Sequence, residues 1–127
     1  MLTDKPVMIS FAVDDLAKAK KFYAEQLGVE VDESVPSMLG LKLPGNNVMI
    51  YAKDNYKPAV YTVLNFTVDD LEKTMKELEA KGVTFEQYDE PGCKTDKDGV
   101  VDYGMMKAAF FNDPAGNNHG IYQITHK

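Results

Sequence analysis

The chain has 127 residues, 44% of them hydrophobic and 27% charged, which fits one globular domain with its own core. Its net charge is −6 and all 14 basic side chains are lysine; without the guanidinium fork, and with an acidic surface that repels phosphates, nucleic acid is excluded as a partner. One cysteine, Cys93, excludes an internal disulfide and a cysteine-cluster metal site, and no run approaches the roughly 18 apolar residues of a membrane span.

Residues 1–8, "MLTDKPVM", carry an acid and a proline where a secretory signal needs a basic start and an apolar run, so the expectation is an unprocessed cytoplasmic protein. A first strand follows, with Val7, Ile9, Phe11 and Val13 alternating against Met8, Ser10 and Ala12. Asp14 is placed to cap a helix whose apolar positions Leu16, Ala19, Phe22, Tyr23 and Leu27 recur at steps of three and four, and Gly28 stops it. Short strands are expected at about 29–32, 38–43 and 47–52. "DNYKPA", about 54–59, reads as a linker.

The pattern then starts again. Phe11, Val13, Asp14, Asp15 and Leu16 recur 55 positions later as Phe66, Val68, Asp69, Asp70 and Leu71. Leu64, Phe66 and Val68 alternate against Val63, Asn65 and Thr67; Asp69 is placed as the next cap, Glu72 three residues on would complete a capping box, and Gly82 ends the helix. Strands are expected at about 83–87, 105–111 and 119–125. "GNNVMIY" (45–51) returns as "GNNHGIY" (116–122) at an offset of 71, which places an insertion of about 16 residues in the second copy. That insertion, "YDEPGCKTDKDGVVDYG" (88–104), has no clear period and reads either as a lid or as a solvated excursion.

Two βαβββ modules, with "VDDLAKAKKFYAEQLG" opening the first and "FFNDPAGNNHGIYQ" closing the second, resemble the vicinal oxygen chelate superfamily of glyoxalase I, extradiol dioxygenases and bleomycin-resistance proteins. The resemblance implies an α+β fold in a single domain, 1–127: module one at about 5–53, module two at about 60–127, and a curved mixed sheet around a central cavity with helices outside. It also implies pairing of modules within or between chains, so a homodimer is expected. Metal-dependent members of the family hold their metal at four strand positions. By the spacing from the two motifs these fall on Met8, Val63, Met49 and Gly120, none of which carries a donor for a hard divalent ion. No metal, cofactor or catalytic residue is therefore assigned.

His119 stands one residue from Gly120, and one step along a strand turns a side chain to the opposite face. It reads as a hydrogen-bonded packing residue, against the alternative of a metal ligand; His126, near the end, reads as exposed. If Met8, Met49, Val63 and Gly120 face the cavity, then Ser10, Tyr51, Tyr61, Asn65 and Tyr122 share that side, a wall of phenols and thioethers suited to a planar or apolar ligand. The expected function is metal-independent binding of a small molecule, an aromatic or cationic drug or metabolite, with no membrane partner. The alternative is a glyoxalase-like lyase or isomerase, or a dioxygenase, with atypical or no metal ligands, drawing on His119 and on Asp89, Glu90, Cys93, Asp96, Asp98 and Asp102 of the insertion.

Overall fold

The computed structural model describes residues 1–124, apart from the side chain of Asn46. Thr125 to the end, and with it the expectation for His126, lie outside the described residues. Among the described residues, no helix is long and apolar enough to cross a membrane. The chain divides into two compact units, residues 1–58 and the residues from Ala59 onward, with the division inside the expected linker.

In the first unit β1 (Met8–Val13) leads into α1 (Leu16–Lys21), which runs on as a π-helical turn, Phe22–Gln26. The sheet is completed by β2 (Val31–Asp32), β3 (Met38–Leu43) and β4 (Asn46–Ala52) in the order β1-β4-β3-β2, with β1 parallel to β4 and the other pairs antiparallel. Alternation sorts the side chains. Phe11, Val13, Leu39, Leu41, Val48 and Ile50 go to one face and are buried with Ala19, Phe22 and Tyr23. Edge-to-face contacts hold Tyr23 against Phe11 (6.1 Å) and Phe22 (5.2 Å).

The second unit repeats the plan. β5 (Thr62–Thr67) and α2 (Leu71–Ala80) are followed by β8 (Val100–Asp102), β9 (Met106–Asn112) and β10 (Asn118–Ile124), in the order β5-β10-β9-β8 with β5 parallel to β10. Leu64, Phe111 and Ile121 are buried on the face toward α2, with Leu71, Met75 and Val83. The Gln123 side chain accepts from Leu71 N–H at 2.7 Å, tying β10 to the start of the helix.

The structure departs from the expected elements at the helix caps, at residues 83–87 and in the insertion. The helix caps are Asp15 and Asp70, one residue later than Asp14 and Asp69: Asp15 accepts from Ala17 and Lys18 N–H at 2.9 and 3.2 Å, and Asp70 from Lys73 N–H at 3.1 Å. Glu72 therefore stands two residues after the cap and closes no capping box, though its charge still complements the helix N-terminus. The strand expected at 83–87 is reduced to one bridge, Phe85 to Phe111, and its place beside β9 is taken by β8, which comes from the insertion. The insertion is thus structured. It also forms a hairpin, β6 (Asp89–Glu90) with β7 (Cys93–Lys94), turning at Pro91 and Gly92, where φ of +82° at Gly92 is open to a residue without a Cβ. Tyr88 and Thr95 extend it, Tyr88 N–H donating to Thr95 Oγ1 at 2.8 Å and Thr95 N–H to Tyr88 O at 2.9 Å.

The cap correction is directly testable by denaturant unfolding. Asp70→Ala is expected to lower stability by about 1 kcal/mol, because a helix N-terminal N–H loses its acceptor, while Asp69→Ala changes it by a few tenths. Equal losses from both would contradict the cap at Asp70.

Candidate functional site

The faces turned away from the helices carry the residues picked out in the sequence. In the first unit, register places Ser10 and Gly40 beside Met49, Ala12 and Met38 beside Tyr51, and Met8 beside Asn47. This face is open: Met8 is 57% and Tyr51 37% exposed, Ser10 is exposed, and Met49 is half-buried over Gly40. One exposed and one half-buried thioether, with a phenol, give it an adaptable apolar surface.

The corresponding face of the second unit is filled by its own chain. Asn65 and Phe110 flank Gly120, and Thr67 and Ala108 flank Tyr122. Val101, Ala108 and Phe110 are buried there, with Tyr88, Cys93 and Tyr122 packed on them. Phe110 sits at the centre, edge-to-face with Tyr88 at 5.7 Å and with Tyr122 at 6.2 Å. Sequence reasoning missed that Tyr88, Cys93 and Phe110 pack on this face, Cys93 having been named only as a candidate group of the insertion. The insertion looks aperiodic as a whole, but a Pro–Gly pair between "DE" and "CK" is a hairpin signal that would have found the first two.

Gly120 does not leave an empty space. A Cβ built there would stand 2.7 Å from the Tyr122 ring, 2.9 Å from Asn65 Oδ1 and 3.4 Å from the Phe110 ring. The room is taken by neighbours, and a longer side chain would have to displace all three. Val63 falls where register steps from Thr62 opposite Asn118 to Leu64 opposite His119, a bulge in β5 that leaves Val63 without a Cα partner on β10. Tyr61 precedes the strand and is 70% exposed, so it stands at the mouth of this face and not on the sheet.

The phenols respond to these surroundings. Burial raises the Tyr122 pKa above its usual value, with the Cys93 thiol adding to the effect. Burial likewise raises Tyr88, against the opposing effect of the Asn118 hydrogen bond. Tyr103 is raised by burial and then by Cys93, which is also its hydrogen-bond partner. All three remain neutral phenols able to donate or accept at neutral pH.

His119 faces the other way. Its ring is fully buried, edge-to-face with Phe111 at 5.6 Å, and Nδ1 accepts from Leu64 N–H at 3.2 Å, so a neutral ring carries its proton on Nε2. Burial pushes its pKa down to about 4, outweighing the pull of Asp113. Asp113 is occupied in the turn that starts β10, accepting from Ala115 and Asn117 N–H and from Asn117 Nδ2 at 2.8 to 3.0 Å.

Residues 5–119 match the model of the Glyoxalase/Bleomycin resistance protein/Dioxygenase superfamily. The chain belongs to that superfamily. No curated protein sequence matches it. Among solved structures, the glyoxalase/bleomycin resistance protein/dioxygenase from Alicyclobacillus acidocaldarius is 17% identical with a TM-score of 0.71, covering 96% of this chain and 92% of the other. TnmS3, an antibiotic binding protein from Streptomyces sp. CB03234, is 23% identical with a TM-score of 0.69, covering 97% and 99%. Lactoylglutathione lyase from Agrobacterium tumefaciens is 19% identical with a TM-score of 0.69, covering 95% of each chain. At such identities the shared property is the fold, which in this superfamily serves both binding and catalysis.

The family's metal does not fit these residues. Met8 and Met49 offer thioethers, Val63 a hydrocarbon and Gly120 no side chain at all, with the space above Gly120 already occupied. Among the described residues, no three His, Cys, Asp or Glu side chains converge into a cluster able to hold a metal ion.

Two stability predictions follow from this packing. Gly120→Ala is expected to cost about 1–3 kcal/mol through overpacking, and adding Tyr122→Ala should recover part of that cost; additive losses in denaturant unfolding would mean the ring is not the obstacle. For His119, the folded pKa lies below the unfolded value, so the unfolded chain takes up the proton first on acidification. The neutral ring's advantage is intact above about pH 6.5 and is lost as pH falls toward 4, by about 3 kcal/mol in all. His119→Gln should be less stable at pH 7 and lose less between pH 7 and 4.5; parallel profiles would contradict a buried neutral ring.

Proposed function

We propose that this superfamily member binds a small molecule without a metal, holding an aromatic or cationic drug or metabolite against the strand faces turned away from the helices. The ligand-contacting residues in this reading are Met8, Ser10, Met49 and Tyr51 in the first unit, and Tyr61, Val63, Asn65, Gly120 and Tyr122 in the second. The observation that carries it is the Tyr122 ring lying against Gly120, which supports an aromatic surface at the position that motif spacing assigns to a metal donor in metal-dependent relatives. The net charge of −6 favours a cationic or neutral ligand over an anion. We further propose a cytoplasmic homodimer, since each four-stranded sheet ends in edge strands that a second copy would protect.

Equilibrium binding to a panel of planar cationic, neutral and anionic aromatics tests the reading. Saturable binding is expected, weakened on the order of tenfold by Tyr122→Ala or Tyr51→Ala, the usual scale for losing one buried aromatic contact. Protein purified without chelator should carry substoichiometric metal and show no shift in melting temperature with Ni, Co, Zn, Mn or Fe. Stoichiometric metal lost in His119→Ala would overturn it in favour of a metal-dependent lyase or isomerase. Sedimentation of the full chain as a monomer at micromolar concentration would remove the homodimer.

A further inference from the structure

The second unit contains an open cleft of about 430 Å³ bordered by the segment before β5, the β6–β7 hairpin and the β9–β10 end of the sheet. Tyr61, Tyr88 and Phe110 supply its aromatic surface. Two orientations are fixed. Tyr88 is held edge-on to Phe110, and its hydroxyl accepts from Asn118 Nδ2 at 3.0 Å. The same amide nitrogen donates to Asn112 Oδ1 at 3.0 Å, so Tyr88, Asn112 and Asn118 are tied together at the cleft.

Charge in the cleft is one-sided. Hairpin register pairs Glu90 with Cys93 and Asp89 with Lys94, and neighbouring pairs of an antiparallel ladder point to opposite faces. Glu90 and Cys93 line the cleft; Lys94 lies on the other face, 4.0 Å from Asp89. Among the described residues that border the cleft, Glu90 is the one charged side chain. A neutral or anionic ligand would find there a carboxylate and no cation to answer it. An ammonium group would find the carboxylate and aromatic side chains.

We propose that this cleft binds an organic ammonium ion, a quaternary or protonated amine on an apolar or aromatic body, with Glu90 as counter-charge and Tyr61 and Tyr88 as the cation–π surface. The volume suits a compact ligand of that kind. The assignment rests on the small-molecule-binding reading above, with which it shares Tyr61, and adds a chemical class of ligand and a cleft within one unit.

The full chain, isotopically labelled, is titrated with benzyltrimethylammonium, with its uncharged isostere neopentylbenzene and with phenylacetate, and followed by NMR. Benzyltrimethylammonium should shift the signals of Tyr61, Tyr88, Glu90 and Asn118 and bind severalfold or more tightly than the isostere, with phenylacetate weakest. Glu90→Gln should weaken the cation on the order of tenfold and leave the isostere unchanged, and Tyr61→Ala should weaken the cation about threefold. Both positions are exposed, so loss of fold does not confuse the result. Equal affinity for cation and isostere, indifference to Glu90→Gln, or shifts confined to other residues would each overturn the assignment. If neutral aromatics of the wider panel bind with sensitivity to Tyr122→Ala while the cation does not, this inference fails and the broader reading stands; if no ligand of either set binds, both fail.

Discussion

The aromatic ring of Tyr122 resting on Gly120 is the contact that organises the second unit's open face. Two residues apart on one strand, they share a side of the sheet, and the close approach requires that position 120 have no Cβ. From there the packing runs outward through Phe110 to Tyr88, and Tyr88 belongs to the chain that turns into the hairpin. One missing side chain thus decides where a tyrosine lies, and the tyrosine helps decide where an inserted segment can settle.

The two units share a frame and differ in how they use it. Each has a four-stranded mixed sheet with a parallel pair and one apolar face under a helix. On the other face the first unit leaves Met8 and Tyr51 exposed, whereas the second packs Tyr88 and Cys93 onto Val101, Ala108 and Phe110. The hydrophobic effect accounts for the insertion's order: a segment rich in Asp, Lys and Gly would not hold a fixed shape alone, but two half-buried side chains and a zipped turn anchor it. The acidic residues it carries are left at the surface, where Glu90 faces the cleft.

Much of the fold was legible because duplication doubles every signal. Alternation in Ile9, Phe11 and Val13 and again in Leu64 and Phe66, together with two acidic caps and two stop glycines, predicts the same module twice, and the family match agrees. What escaped was local competition. In each "VDD" the spacing cannot say which aspartate turns inward as the cap, and hydrogen bonds to the backbone select the second. Residues 83–87 look like a strand but meet β9 in a single bridge, Phe85 to Phe111 with Glu86 N–H donating to Phe110 O, because Val100–Asp102 takes the ladder. The face membership of Gly120 and Tyr122 was readable from period two; the occupied space above Gly120 was not, since it depends on the rotamer of Tyr122 and on Asn65 from another strand.

His119 does more in this fold than fill space. Beside the bulge that leaves Val63 without a partner on β10, the imidazole nitrogen of His119 takes the N–H of the next residue, Leu64. The side chain serves there as a splint, substituting for a carbonyl across a break in the ladder. Because a strand shifted by one position exchanges its two faces, the identity of the open face is underwritten from the buried side: the residue that keeps Asn65 and Gly120 pointing outward is one that no ligand on that face would touch.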